Sequence, residues 1–437
     1  MNSLLKLKSL NKYKFENKKP KALYGLPPLV KFCKKCTYSN QKPISEKEFE
    51  HKAETKKTVL GLNHKGICSA CIIAEKKNKI IDWKKRYSEL KKICDKYRSR
   101  NGSYDCLVPG SGGKDSFVQA YRLKYEFGMN PLTITWAPHI YTDWGWQNFQ
   151  SWIHSGFDNY LFTPNGKIHR LLTRLAIDNI FHPFQPFIMG QNHFPIKFAA
   201  KLKNIKLIFY GDPNSEYGNP DNFNSSSKPQ YYFSYKKKED DLKISGLSVR
   251  ELKKKYNLTS GDLEPYLPIN QNELNKSKIE VKYLGYYLKW HPQSCYYFAS
   301  EKGNFTTSSQ RNAGTYQKYA GIDDKVDDFH YYTTFIKFGI GRASYDAAID
   351  IRNGEITRAE GVNLVKKFDG EYPERFQREV FKYLSIDKLN FNKLRGKFKH
   401  PEFNFDYFQN LTNRFRSPHI WYYDTKKRNW SLRNKIS

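Results

Sequence analysis

A glycine-rich segment, Gly110–Ser116, has the residues needed to hold a phosphate group. An apolar stretch of strand length precedes it and a helical stretch follows it. A strand, a glycine turn and a helix N-terminus together present backbone N–H groups and the positive end of a helix dipole to an anion. Ser111 and Ser116 add hydroxyl donors, Lys114 adds a positive charge, and Asp115 could hold Mg²⁺. The residue order differs from that of a Walker A motif, so the segment predicts a phosphate loop of another kind.

Four of the seven cysteines form two Cys-x-x-Cys pairs, Cys33/Cys36 and Cys68/Cys71. Two thiolates at this spacing can bind one edge of a metal ion, and two such pairs complete a tetrahedral site. We expect a structural Zn²⁺ at these residues; a redox-active pair and an iron–sulfur cluster are the alternatives. Four thiolates leave no open position for a substrate, so this zinc should stabilise the N-terminal module rather than take part in chemistry.

From Tyr104 onward, apolar stretches of strand length alternate with stretches of helical periodicity. Helices are predicted at Phe117–Phe127 and Ile168–Ile180. The alternation is typical of βαβ units and a parallel sheet. The predicted strands are Asp105–Pro109, Leu132–Ala137, Asn159–Phe162 and Lys206–Tyr210.

The remaining regions differ from this pattern in composition, and they set the expected domain boundaries. Residues 76–100 have helical periodicity, and Asn222–Pro229 is predicted to be a disordered tip of the polar region. A helix is expected near Ser248–Tyr256. The expected regions are a flexible basic N-terminus (1–30), a cysteine module with a linking helix (31–100), an α/β domain (101–220), a polar insertion (221–282) and a mostly helical C-terminal region (283–437).

Composition excludes several classes of protein. The chain has 437 residues and 39% hydrophobic residues, enough for a sizeable core. It has no apolar run long enough for a transmembrane helix, no secretory signal pattern, and too few cysteines for a disulfide scaffold. We therefore expect a soluble cytoplasmic protein. The net charge of +32 could attract nucleic acid, but a solvated face in a lysine-rich composition explains it equally well and is the favoured interpretation.

The Ser-Gly-Gly-Lys-Asp-Ser sequence at Ser111–Ser116 resembles the loop of the PP-loop ATP pyrophosphatases, which include GMP synthetase, NAD synthetase and several tRNA-modifying enzymes. The resemblance implies a doubly wound α/β domain that splits ATP between its α and β phosphates. Such an enzyme adenylates a carbonyl oxygen of its substrate, and a nucleophile then displaces AMP. The residues implied to bind ATP, with Mg²⁺, are Gly110, Ser111, Gly112, Gly113, Lys114, Asp115 and Ser116.

Further stretches resemble the bacterial N-acetyl sugar amidotransferases of lipopolysaccharide and flagellar glycan pathways. The resemblance covers roughly residues 30–425 and includes the cysteine pairs. It implies conversion of an acetamido group on a nucleotide-linked hexuronate or nonulosonic acid into an acetamidino group. The matching stretches are Pro131–Pro138, Tyr141–Asn148, Gly156–Asn159, Thr163–Lys167, Phe184–Phe187, Leu207–Asp212, Glu216–Gly218, Tyr287–Trp290, Ile336–Gly339 and Gly341–Arg342.

Two acidic residues follow another predicted strand, where ligands of open α/β sheets bind. Asp212 and Glu216 are therefore expected, with Lys114 and Asp115, to be catalytic. They would act on Mg²⁺, the ribose or the incoming nitrogen; the alternative is that they cap the next segment. The family pattern has Gly-Glu-Asn at this point, and this chain has Gly211-Asp-Pro-Asn214.

Basic and amide side chains elsewhere are candidates for the sugar site. Lys337 and Arg342 lie beside glycines and could bind a carboxylate or phosphate, unless they form a solvated pair. Asn148 and Lys167 are weaker candidates for substrate binding, as are Asn165 and His169.

The nitrogen source is expected to be a separate protein. Residue 2 is Asn2, so an N-terminal cysteine nucleophile is absent, and Cys295 does not lie in a glycine elbow. The resemblance implies separate glutaminase and cyclase-like subunits that supply ammonia. The alternative function is that of a tRNA-modifying PP-loop enzyme, thiolating or aminating. Thiolation usually needs catalytic or cluster-binding cysteines in the catalytic domain, and Cys295 is the one cysteine that follows Cys106 in the sequence.

Overall fold

The computed structural model describes residues 20–44, 47–211, 232–386 and 402–437. Five parallel strands form the central sheet, in the order β3-β2-β1-β4-β9, and the shorter strands pair as β5/β8, β6/β7 and β10/β11. The strands are β1 (Cys106–Pro109), β2 (Pro131–Trp136), β3 (Asn159–Phe162), β4 (Leu207–Tyr210), β5 (Ser234–Tyr235), β6 (Lys243–Ile244), β7 (Leu247–Ser248), β8 (Ile269–Asn270), β9 (Glu280–Tyr283), β10 (Trp421–Asp424) and β11 (Asn429–Leu432).

Helices surround the sheet and make up most of the C-terminal region. A π-helical turn, Arg122–Glu126, continues α3. The α-helices are α1 (Ser69–Lys79), α2 (Trp83–Tyr97), α3 (Lys114–Tyr121), α4 (Asp143–His154), α5 (Gly166–Ile180), α6 (Gln185–Leu202), α7 (Val249–Tyr256), α8 (Ser260–Leu263), α9 (Gln271–Ser277), α10 (Leu284–Tyr287), α11 (Pro292–Gly303), α12 (Asp327–Phe338), α13 (Arg342–Asn353), α14 (Arg358–Phe368), α15 (Gln377–Leu384) and α16 (Phe405–Phe415).

Both faces of the sheet are covered by other elements. This is shown by β1, which is apolar and buried at every position. Cys106 and Val108 belong to an apolar cluster with Phe117 of α3. Leu107 belongs to a different cluster, with Ile196 of α6. Successive side chains of a strand point to opposite faces, so the two clusters lie on opposite sides of the sheet. Burial on both faces is the usual condition of a parallel sheet.

The order of the strands reverses beside β1. The chain places β2 and β3 on one side of β1, then returns to place β4 and β9 on the other side. In such sheets ligands bind beyond the carboxyl ends of the strands at the reversal point. The loop that follows β1 and Gly211, which follows β4, both lie there.

The predicted α/β architecture with a parallel sheet is confirmed, and the structure adds a fifth strand. This strand, β9, falls where the sequence predicts the end of a polar insertion. Within the described part of the chain it pairs with β4 alone, and it alternates Glu280 and Lys282 with Val281 and Tyr283. A short, half-polar edge strand gives little periodic signal in the sequence, which explains why the prediction lacked it.

Two further regions differ from the expected domain picture. Residues 20–30, expected to be part of a flexible terminus, contact the C-terminal region: Tyr24 donates a hydrogen bond to the Phe415 carbonyl at 2.8 Å, and Leu26 is buried. The described part of the expected polar insertion contributes buried residues such as Val249 and Tyr266 to the main apolar cluster. Its expected tip, Asn222–Pro229, lies outside the described residues.

Among the described residues, no helix is both long enough and apolar enough to cross a membrane.

A buried histidine makes the stability of this fold depend on pH. His193 of α6 is 4% exposed and hydrogen-bonds through Nδ1 to the Tyr266 carbonyl at 2.9 Å. Burial lowers the pKa of its imidazole from 6.5 to about 4. Between these two values the unfolded chain binds more protons than the folded chain, so stability rises with pH and is lost as the pH falls.

We expect His193→Gln to flatten this dependence. Acidification from pH 7 to pH 4 should remove about 3 kcal/mol less unfolding free energy from the variant than from the wild type, because the variant has no imidazole to protonate. Urea unfolding at several pH values measures the difference. His64→Gln, at an exposed position, is the control, and equal pH slopes in the wild type and His193→Gln would contradict the prediction.

Candidate functional site

The segment 110–116 forms a tight loop between β1 and α3. The Gly110 N–H donates to the Ile134 carbonyl of β2 at 2.9 Å and holds the start of the loop on the sheet. Ser116 closes the loop, since its hydroxyl accepts from the Gly112 N–H at 3.2 Å and donates to the Gly113 carbonyl at 2.9 Å. The first N–H groups of α3 have no partner within the helix and are available to an anion.

The glycines of the loop are required by close packing. Gly112 has a φ of +85°, and a Cβ there would lie 2.6 Å from the Phe149 Cα. A Cβ at Gly110 would overlap the Ser116 Cβ. Larger residues would therefore displace α4 or the start of α3, and the cradle of N–H groups would be lost.

Lys114 and Asp115 lie side by side at the start of α3. The Lys114 Nζ is 2.5 Å from the Asp115 Oδ2 and 5.8 Å from the centre of the Tyr319 ring. The other carboxylate oxygen, Asp115 Oδ1, has no hydrogen-bond partner among the described residues. This oxygen suits a cation such as Mg²⁺, and the N–H cradle beside it suits a polyphosphate.

The loop opens into a cavity of about 420 Å³, a volume in the range of small-molecule sites. One wall is the loop with the ends of β1 and β4. The opposite wall comes from the C-terminal region, 200 residues further along the chain. That wall, which we call the acidic wall, consists of Tyr319, Gly321, Asp323, Asp327, Tyr331, Arg342, Tyr345 and Asp346.

The acidic wall is fixed to the sheet by the segment that leaves β2. Main-chain hydrogen bonds join Thr142 N to the Asp323 carbonyl at 3.1 Å and Lys325 N to the Ile140 carbonyl at 3.0 Å. The Asp324 carboxylate contacts the His139 ring at 2.7 Å. A Cβ on Gly145 would lie 2.5 Å from the Asp323 Cα, so only glycine permits this approach.

Arg342 organises the charges of the acidic wall. Its guanidinium bonds to the Asp327 carboxylate and the Ala320 carbonyl, at 2.5 and 2.6 Å, and packs on the Tyr331 ring. Its Nε lies 3.6 Å from Asp346. Asp327 and Asp346 are buried, and Arg342 is only 3% exposed. The guanidinium is therefore used within the wall, and it neutralises part of the negative charge there.

Burial raises the carboxyl pKa values of the acidic wall. The pKa of Asp327 rises to about 7, because burial outweighs the opposing effect of Arg342. The pKa of Asp323 is also raised, by burial and by the neighbouring Asp324, and burial raises that of Asp346. A carboxyl with a pKa of about 7, as Asp327 has, exchanges protons near neutral pH, as groups in general acid–base catalysis do.

The structure brings some of the predicted substrate residues to this cavity. Asn148 and Arg342 line it, although both polar atoms of the Asn148 amide already bond to Thr306. Lys337 is buried and donates to the Ile180 carbonyl at 2.8 Å, and Lys167 is exposed at the start of α5. Neither lysine is among the described residues that line the cavity.

Four other predicted site residues lie away from the cavity or outside the described residues. Asn165 caps α5, and His169 is buried with Nδ1 near the Tyr266 hydroxyl. Asp212 and Glu216 fall outside the described residues. Their neighbour Gly211 lines the cavity, so the chain leaves β4 at its edge.

The carboxyls of the acidic wall are not among the site residues predicted from the sequence. The signal that could have found them is the run Gly321-Ile-Asp-Asp-Lys-Val-Asp-Asp328, in which two acidic pairs follow a glycine that has a φ of +58° in the structure. In the structure the second pair, Asp327 and Asp328, begins α12, and the first pair lies in the segment just before that helix.

The four cysteines of the two pairs meet in one buried cluster that could bind a metal ion. The Cys36 and Cys68 sulfurs are 3.6 Å apart, and those of Cys33 and Cys71 are 3.9 Å apart. Tetrahedral coordination with Zn–S bonds of about 2.3 Å requires sulfurs about 3.8 Å apart. The Cys33 sulfur also accepts from the N–H groups of Lys35 and Cys68, both at 3.3 Å, as metal-bound thiolates do.

Comparison with known proteins finds similarity in the C-terminal region. Residues 313–437 match the family model "LPS biosynthesis protein WbpG-like, C-terminal domain", which supports a family of lipopolysaccharide biosynthesis. Over 84 residues the chain is 32% identical to "Uncharacterized protein MJ1599" of Methanocaldococcus jannaschii. That alignment covers 19% of this chain and 29% of the archaeal protein. The family match includes the whole acidic wall but not the loop.

We expect Cys68→Ser to lose most of its bound zinc, because binding and folding share one free energy at such sites. Metal analysis of the purified protein, with circular dichroism of the N-terminal module, measures the effect. Cys94→Ala, at a buried cysteine outside the cluster, should keep one zinc per chain. Unchanged zinc in Cys68→Ser would show that the ligand set is wrong.

Proposed function

We propose that the protein is an ATP-dependent amidotransferase of bacterial surface-sugar biosynthesis. It converts an acetamido group, on a nucleotide-linked hexuronate or a nonulosonic acid, into an acetamidino group. The observation that carries the proposal is the position of the loop 110–116: it lies at the reversal of the strand order and lines a cavity whose acidic wall falls entirely within the lipopolysaccharide-family match. One site would thus hold a nucleotide beside a sugar.

The chemistry needs an activated amide. An amide carbonyl is a weak electrophile, so its oxygen first attacks the α-phosphate of ATP and pyrophosphate leaves. Ammonia then adds to the carbon, and the former amide oxygen departs with AMP while one proton is released. The loop N–H groups and Lys114 would stabilise the leaving pyrophosphate. Mg²⁺ held by Asp115 would supply further neutralisation of its charge.

The acidic wall suits the nitrogen step. Ammonium must lose a proton before it can attack, and the addition releases another proton. Asp323, Asp327 and Asp346 have raised pKa values and line the cavity, so a carboxyl of this wall is suited to accept a proton near neutral pH. A carboxyl of this wall in its ionised form would also attract ammonium rather than repel it.

A tRNA-modifying PP-loop enzyme is the alternative, favoured by the net charge of +32. Against thiolation, Cys295 is buried and lies at the start of α11, and burial raises the pKa of its thiol to about 12. A thiol that stays protonated at neutral pH is a poor sulfur carrier. Tight, salt-sensitive tRNA binding with no sugar turnover would favour this alternative.

We expect Lys114→Ala and Asp115→Ala to lose about 100-fold or more of the activity, because each removes a charge that faces the phosphates. The assay incubates candidate acetamido sugars with ATP, Mg²⁺ and ammonium, and detects replacement of oxygen by NH by mass spectrometry and AMP by chromatography. Lys91→Ala, at an exposed lysine of α2, is the matched control. Full AMP formation in both loop variants would remove the loop from the mechanism.

The ammonia should come from separate glutaminase and cyclase-like subunits. The purified chain should therefore use ammonium salts, faster as the pH rises because more ammonia is unprotonated, and should use glutamine poorly. Adding a glutaminase pair should restore the use of glutamine. Efficient turnover with glutamine by the isolated chain, with contaminating glutaminase excluded by mass spectrometry, would show that the chain has its own glutaminase site.

A further inference from the structure

The cysteine module packs against the helix that carries much of the acidic wall. Ala348 of α13 is buried in the same apolar cluster as the four cysteines. Thr37, which follows Cys36 and is 1% exposed, donates a hydrogen bond to the Ser344 carbonyl at 2.9 Å. Arg358 of α14 donates to the Cys33 carbonyl at 3.3 Å. The metal ligands are therefore only one or two residues away from contacts with α13 and α14.

Tyr345 belongs to both the module interface and the cavity. It lines the cavity, and its ring meets the Tyr38 ring edge-on with 5.6 Å between the ring centres. The ammonium of Lys42, a buried residue of the module, lies 5.0 Å from the centre of the Tyr38 ring and 5.2 Å from that of the Tyr345 ring. Edge contacts and buried cation–π contacts favour specific ring orientations. The module thus restrains a side chain that faces the ligand space.

The start of α13 depends on groups outside the helix. Its N-cap is Gly341, which has no side chain to bond the first N–H groups. The Asp369 carboxylate, after α14, replaces that cap by accepting from Gly341 N at 3.0 Å and Ser344 N at 3.1 Å. Thr37 is the second anchor, on the carbonyl of the same Ser344. Arg342, the first residue of α13, and Asp346, one turn later, both line the cavity.

We propose that the cysteine module is a positioning element of the cavity, which it shapes by holding the first turn of α13 through Thr37 and Tyr38. The proposal rests on the proposed function in one respect, that this cavity is the ligand site. Metal binding would then act on ligand affinity across an interface, without the metal touching the ligand.

The test compares Thr37→Val with Thr37→Ser. Valine keeps the shape but removes the donor, and serine keeps the donor. Lys35→Ala, which removes an exposed ion pair with Glu75 in the same module, is the control. Each full-length variant is analysed for zinc, for backbone hydrogen exchange of residues 342–353, and for affinity for a non-hydrolysable ATP analogue with Mg²⁺ by equilibrium dialysis.

Thr37→Val should keep its zinc, exchange the amides of α13 faster and bind the analogue about tenfold more weakly, because the first turn of α13 loses the hydrogen bond that ties it to the module. Thr37→Ser and Lys35→Ala should behave as the wild type. Wild-type exchange and affinity in Thr37→Val at full zinc content would overturn the proposal.

If Thr37→Val loses zinc, Tyr38→Leu is used instead to test whether the module holds α13. This variant removes the ring contact with Tyr345 and leaves Thr37 in place. Unchanged hydrogen exchange and unchanged affinity in Tyr38→Leu at full zinc content would overturn the proposal. Zinc loss in both variants would also overturn it, because the module would then have no role separable from metal binding. A wild-type chain that does not bind the analogue would contradict the proposed function instead, and hydrogen exchange would still decide whether the module holds α13.

Discussion

The cavity depends on one contact, the attachment of residues 320–326 to the segment that leaves β2. Without it the phosphate loop would face solvent on one side, as the glycine loop of any α/β domain can. Main-chain hydrogen bonds from Thr142 and Lys325 fix that attachment, and Gly145 allows the two backbones to meet. Because main-chain bonds carry it, the contact tolerates many side-chain changes, but not a larger residue in place of Gly145.

The charges follow from this attachment. Bringing Asp323, Asp327 and Asp346 close to a site for polyphosphate is unfavourable unless their charge is reduced. Arg342 reduces it by bonding Asp327 and approaching Asp346, and burial reduces it further by favouring the protonated carboxyls. The wall is therefore adjustable in charge, whereas the loop opposite is a fixed set of N–H groups. The proposed function would use these two different environments, one for a nucleotide and one for a nitrogen nucleophile.

Much of the fold could be predicted from the sequence, because its signals are local. Strand Asn159–Phe162 was predicted at its observed bounds, and helix α7 begins at a capping box, Ser248 with Glu251, that the sequence displays. The stretch 76–100 has helical periodicity and predicts a linking helix, whereas the structure has two helices there, the second capped by Asp82. The cysteine cluster followed from spacing alone. The acidic wall could not be predicted in this way, since its carboxyls come together only through packing between segments that are distant in the chain.

That separation in the chain has a consequence for how the protein forms during synthesis. The four cysteines lie within residues 33–71, so the metal site can close as soon as the first hundred residues leave the ribosome. Thr37 then has no partner until Ser344 emerges, 307 residues later. The cavity is therefore among the last parts to assemble, as contacts of high sequence separation are slow to form. A nascent chain would hold metal long before it could hold a nucleotide between two walls.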